Sequence, residues 1–230
     1  MRKLIIIFLC CTVALLTGYA GYRGYKVWKQ NRMMNLAHAF AAKGDGRNVL
    51  LCVQQVLRSN PRNLEASRMM AALLEAGRSP GALVWRSQVV ELNPKSLEDR
   101  LALAQSAMMF RDYMVATNAL EGVDQAGRKT AAYHNVAGAV AAAANQRAEA
   151  EAHFFEAARL EPTNPVPQLN LAVVRLYSTN EPVRAEARTT LMSISSSSPA
   201  LRCQALRELV VDSLRSRQTN AALALSRELV

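Results

Sequence analysis

His38, His134 and His153 are the histidines of the chain, and any metal or acid–base centre would have to be built around them. A zinc site needs three or four protein ligands held close together. No Cys or carboxylate stands at ligand spacing from any of the three, so each reads as a surface or partly buried side chain. Only His134 and His153 could meet, across one helical hairpin. Glu149, Glu151 and Glu156 share their segment with Arg147 and Arg159, the pattern of a solvated, ion-paired helix face and not of a carboxylate dyad. The glycines of "GYAGYRG" at 18–24 follow an apolar run instead of joining a strand to a helix, so they are no nucleotide fingerprint. Cys10 and Cys11 lie inside that run, and Cys52 and Cys203 read as simple buried thiols. The pairs Met33/Met34, Met69/Met70 and Met108/Met109 offer either core filling or an adaptable binding surface. No catalytic residue, metal ligand or cofactor is assigned, and no enzymatic activity is expected.

The charge lies where chemistry does not. Of 28 Lys/Arg and 18 Asp/Glu, ten basic residues and a single acid, Asp45, fall within residues 1–62, leaving 18 against 17 in the remainder. A nucleic-acid binder carries its basic face on the folded domain; here the excess flanks "LIIIFLCCTVALLT" at 4–17. Residues 4–22 are just long enough for one helical span. Beyond the run come Tyr19, Tyr22, Tyr25 and Trp28, with Arg23, Lys26 and Lys29 between them. Aromatic rings settle at the membrane–water boundary and cations engage anionic headgroups. Residues 1–30 are therefore expected to form a signal-anchor helix with a basic-aromatic collar. The competing reading is a cleaved secretory signal, with Gly18-Tyr19-Ala20 as its small-x-small site. Arg2, Lys3 and the α-amino group on one flank are nearly balanced by Arg23, Lys26, Lys29 and Arg32 on the other, which leans toward a cytoplasmic C-terminal region. A three-residue head with two basic side chains stays inside, which favours an exported one.

Residues 31–230 must then supply the fold. Alanine-rich composition with only 6 % aromatic residues suits closely packed helices. Four segments end alike, "QQVLRSNPRN", "SQVVELNPKS", "FEAARLEPTNP" and "LMSISSSSPA", with prolines at Pro61, Pro94, Pro162 and Pro199. Their spacing implies a period near 34, with the slot of the missing proline at Arg128 and a fifth repeat stretched at its weak "SISSSSP" end. Between the prolines a second beat of turns appears at 42–48, 75–81, 110–114, 144–149, 178–183 and 215–220. Two helices per period follow, each with apolar residues three and four apart. Leu50, Val53, Val56 and Leu57 form one such stripe.

With these features the chain resembles the tetratricopeptide repeat (TPR) family. In the fourth repeat, Gly138 takes the close-packing position of the first helix, Ala150 lies early in the second, and Phe154, Ala157 and Pro162 fall at the aromatic, alanine and proline positions. The first repeat matches at Ala37, Phe40 and Pro61, the second at Gly77, Ala82 and Pro94 but with Arg86 at the aromatic position, and the third at Ala104, Tyr113, Ala116 and Leu120. The resemblance implies an all-α, right-handed solenoid of about five and a half helical hairpins behind a single transmembrane helix, the last repeat being incomplete. It also implies a concave groove lined by the first helices. The groove positions would be Met34 and His38, then Ser67 and Ala71, then Leu101, Gln105 and Met108, then Asn135, Val173 and Arg207. The Lys/Asn clamp that some members use on a C-terminal carboxylate is absent. The expected partners are a protein or peptide and the lipid bilayer, with no nucleic acid and no small-molecule substrate. The expected function is a membrane-tethered, non-catalytic scaffold in a bacterial-type envelope. The alternative is a sensing or targeting arm of a longer protein whose effector part lies past Val230.

Overall fold

The computed structural model describes the backbone of residues 2–229 and the side-chain surroundings of residues 18 and 21–229. Among the described residues it contains twelve α-helices, one short 3-10 turn and no strand. The helices are α1 (Arg2–Ala42), α2 (Gly46–Ser59), α3 (Leu64–Ala76), α4 (Ala82–Leu92), α5 (Leu97–Met109), α6 (Tyr113–Glu121), α7 (Ala131–Ala143), α8 (Arg147–Leu160), α9 (Pro165–Arg175), α10 (Glu181–Ser197), α11 (Pro199–Arg215) and α12 (Thr219–Arg227). They divide into two compact units, Met1–Pro94 and Lys95–Val230.

Every turn expected inside a hairpin is present, and five of the six share one geometry. The second residue after the first helix takes a positive φ: Gly44 at 71°, Arg78 at 51°, Arg111 at 60°, Asn145 at 61° and Arg217 at 58°. The next amide closes a wide turn onto the helix end, as when Asp112 donates to the Ala107 carbonyl at 2.8 Å and Gln146 to that of Ala141 at 2.9 Å. Such closures satisfy carbonyls that the helix itself leaves unpaired. First helices start on polar caps: the side chains of Asn63, Ser96 and Thr130 accept from the third amide of α3, α5 and α7, and that of Asn164 from Val166 in α9. Each cap is worth about 1 kcal/mol.

Two irregularities have physical causes. At the vacant proline slot, α6 is only 9 residues long and a 3-10 turn, Gly127–Lys129, follows it. Arg128 fastens that turn by donating to the carbonyls of Val123 at 2.9 Å and Glu121 at 2.7 Å, so a guanidinium does the stopping that proline does elsewhere. The "SISSSSP" segment is not a weak terminus. α10 runs through it to Ser197, with the hydroxyls of Ser195, Ser196 and Ser197 turned back onto carbonyls at Met192 and Ser193. Ser198 then ends α10 and begins α11, with Pro199 at its first position, where the missing N–H costs nothing. The extra residues of the fifth repeat therefore lengthen a helix instead of a loop.

Inside the first unit, α1 packs on α2, α2 on α3 and α3 on α4, around a core of Met34, Ala37, Val49, Val53, Val56, Leu57, Ala66 and Met70. Inside the second, each helix packs on its successor, while α7 lies on α5, α9 on α7 and α11 on α9. Burial is by small residues. Ala104, Ala107, Ala116, Ala150 and Ala157 have no exposed surface, which lets helix axes approach to about 8–10 Å. Gly138 lies against a core ring: a Cβ there would lie 2.8 Å from the Phe154 ring. Arg86, at the family's aromatic position, instead makes a two-pronged ion pair with Glu75, both bonds at 2.7 Å.

Among the described residues no helix is long and apolar enough to cross a membrane. The run at 4–17 and Tyr19, on which the anchor expectation rests, lie outside the described side chains, as do Cys10 and Cys11.

Candidate functional site

The expected groove positions separate by burial. In the first unit Met34, Ser67 and Ala71 are buried; Met34 belongs to the core and the Ser67 hydroxyl donates to the Asn63 carbonyl. His38 alone of this set is exposed, 2.6 Å from Glu65. In the second unit Leu101 is buried, whereas Gln105 and Arg207 are exposed and Met108, Asn135 and Val173 are half-buried. Met34, Ser67, Ala71 and Leu101 are thus buried and offer little groove surface, Met34 being packed into the core with residues of α2 and α3. Asn170 donates to Asn135 at 2.9 Å across α7 and α9, and Arg207 lies 3.4 Å from Glu208.

The collar is helical through all three of its glycines, 18, 21 and 24. A three-residue step keeps Tyr22, Tyr25 and Trp28 on neighbouring turns of one face; they are 66 %, 58 % and 55 % exposed. Tyr25 stacks on Trp28 at 6.1 Å between centroids, and the Arg32 guanidinium lies 5.5 Å from the Trp28 ring. Arg23 and Lys29 are exposed and Lys26 half-buried.

His134 and His153 do meet, their Nδ1 atoms 2.9 Å apart. Burial, and then the neighbouring His153, lowers the His134 pKa from the ordinary histidine value, against a weaker opposing pull from Glu156. One ring must donate while the other accepts, so the pair holds neutral rings or one added proton, and a second proton would set two donors against each other. Glu156 is itself engaged by Arg159 at 2.8 and 2.6 Å, which lowers its pKa. Glu151 pairs with Arg175 of α9, a cross-helix partner that the sequence left unseen. Among the described residues no three His, Cys, Asp or Glu side chains converge as metal ligands. Cys52 is half-buried, but Cys203 is exposed, which corrects the expectation of a buried thiol.

A cluster of contacts between α10 and α11 was not among the sequence expectations. Asp212, buried on α11, accepts from Arg188 of α10 at 2.6 Å and from Arg215 at 2.5 Å. Arg188 also donates to Glu181, which receives Arg184 as well. Hydrogen bonds from Arg188 to Asp212 and then to Glu181 raise the arginine pKa. Arg215 reaches the Leu176 carbonyl at 2.6 Å and stands 4.3 Å from the Tyr177 ring, with Arg147 at 5.3 Å from the same ring. Unmatched arginines recurring near hairpin turns were the available signal. Arg147 had a nearer reading, as part of an ion-paired helix face.

No family model matches the chain, and no curated protein sequence matches it. Solved structures do. A tetratricopeptide repeat protein from Parabacteroides merdae superposes with a TM-score of 0.73 at 14 % identity, over 87 % of this chain and 77 % of that one. PilW, described as a widely conserved type IV pilus biogenesis factor, gives 0.71 at 17 % identity, over 87 % and 91 %. MamA from Desulfovibrio magneticus RS-1 gives 0.65 at 18 % identity, over 74 % and 97 %. At such identities the likeness concerns the fold. The chain has the fold of a tetratricopeptide repeat protein.

Proposed function

We propose that this protein is a membrane-tethered, non-catalytic scaffold that binds protein partners through the accessible parts of its first helices, on the exported side of a bacterial-type envelope. The observation that carries the reading is the continuity of α1. It is one helix of 41 residues from Arg2 to Ala42, about 60 Å long at 1.5 Å per residue. The apolar run, the exposed aromatic-basic collar and the first helix of the first hairpin are therefore segments of a single rod. A rod of this kind fixes the first hairpin at a set height above the bilayer, where Lys26, Lys29 and Arg32 meet anionic headgroups. Partner binding falls to Gln105, Met108, Asn135, Val173 and Arg207, the accessible groove positions of the second unit.

The test is capture from detergent-solubilised membranes by the full chain and by a Gln105→Lys/Met108→Asp variant, neither position being buried. A defined set of proteins should be retained by the parent and lost by the variant with its helical content intact. Identical retention by both removes this groove from the account.

A further inference from the structure

Tyr177 separates two cavities with chemically opposite linings. The first, of about 220 Å³, has apolar walls of Ala142, Ala150, Val173 and Val174, with Asn145 and Arg147 at its rim. The second, of about 440 Å³, is lined by Glu181, Arg184, Arg188, Asp212 and Arg215, and by the polar ends of Ser216 and Gln218. Tyr177 itself lines the first cavity and is 41 % exposed. It joins the two through its ring, which both Arg147 and Arg215 approach.

Charge decides what such a site would hold. Four arginines, 147, 184, 188 and 215, face two carboxylates, and both carboxylates are already shared. Glu181 serves Arg184 and Arg188, while Asp212 serves Arg188 and Arg215. Arg147 is exposed and, among the described residues, has no carboxylate partner. A guanidinium presents a planar fork of donors suited to a carboxylate, and one resting on an aromatic ring is held ready for it. Size sets the other half of the ligand. The apolar cavity falls below the roughly 300–1,000 Å³ of small-molecule sites, so it suits one inserted side chain.

We propose that the two cavities form one site for a peptide segment that carries an apolar side chain followed closely by Asp or Glu. The apolar side chain enters between α7, α8 and α9, and the carboxylate engages Arg147 and the surplus charge of the arginine cluster beyond Tyr177. This rests on the scaffold reading and adds the chemistry of the partner. A phosphate backbone would use the arginines but leave the apolar cavity empty.

The experiment is a selection of random twelve-residue displayed peptides on the full chain held in detergent. Peptides that emerge are then measured against Arg147→Glu, Val173→Trp and Tyr177→Leu variants whose circular dichroism and melting temperature match the parent. The expected result is enrichment of peptides with an apolar residue one to three positions before Asp or Glu. Their affinity should fall on the order of tenfold or more with Arg147→Glu, and again when Trp fills the cavity. Enrichment of basic peptides, or of acidic ones indifferent to Val173→Trp, overturns the proposal. Enriched peptides that ignore all three variants but are lost with Gln105→Lys/Met108→Asp leave the scaffold reading standing and remove only this site. If no peptide is enriched, both fall. Tighter binding of a DNA duplex than of any peptide, abolished by Arg147→Glu, also overturns it.

Discussion

Gly138→Ala tests the packing logic of the array most sharply, because two known effects oppose each other there. Alanine in place of a mid-helix glycine favours the helix by up to about 1 kcal/mol. Its Cβ, however, would lie 2.8 Å from two carbons of the Phe154 ring, roughly 0.7 Å short of ordinary carbon–carbon contact. Phe154 is 3 % exposed and packs with Ala141 and Ala150 against Leu171 and Val174, so the ring has little room to retreat. Overpacking of this kind costs about 1–3 kcal/mol, and the expected net effect is a loss of about 1 kcal/mol. Phe154→Ala alone should cost about 3–5 kcal/mol. Once the ring is gone the clash is gone, so Gly138→Ala in that background should stabilise by up to about 1 kcal/mol. The coupling between the two sites is then about 2 kcal/mol, well above the scatter of independent positions. Urea unfolding of the four proteins, followed by circular dichroism, closes the cycle. Equal stabilisation of the parent and of Phe154→Ala by Gly138→Ala would show that the Phe154 ring does not press on position 138.

Further outcomes follow from single contacts. Asp212→Asn should destabilise by about 3 kcal/mol in chemical denaturation, since it strips a buried carboxylate from Arg188 and Arg215 and leaves both guanidiniums without its charge. Arg111→Gly should stabilise by about 0.5–1 kcal/mol, because the left-handed φ of 60° strains any residue with a Cβ and that relief exceeds the added freedom of the unfolded chain. The His134 pKa is lower in the folded than in the unfolded protein. The unfolded chain therefore takes up the proton first as pH falls below the ordinary histidine value. Stability is full above that value and declines beneath it until the folded pKa is reached. His134→Gln should flatten the fall in urea midpoint between neutral and mildly acidic pH relative to the parent.

What could be read in advance was whatever depends on short-range geometry. Proline, glycine and polar caps act within a turn of themselves, so all six hairpin turns were visible as residue types at fixed spacing; Gly138 and Phe154 stood at the close-packing and aromatic positions of the resemblance, but their contact was not read. The groove was less legible. Met34, Ser67, Ala71 and Leu101 sit at helical positions that face the concave side in the family, but how far neighbouring first helices close over them depends on side chains a whole repeat away. The Arg188–Asp212–Arg215 cluster and the Tyr177 ring between two cavities draw on residues from three hairpins, and nothing local marks them as partners. The serine run ends a helix before Pro199 as its proline signalled, but serine's preference for turns gave no measure of how far α10 would continue into it.

The proposal that α1 tethers the helices to a bilayer is put to the test by flotation of the full chain with neutral phosphatidylcholine vesicles after an alkaline wash. If an apolar span and not charge holds it, the chain rises with the lipid and stays there at high salt. Recovery of the washed chain at the bottom of the gradient would contradict it.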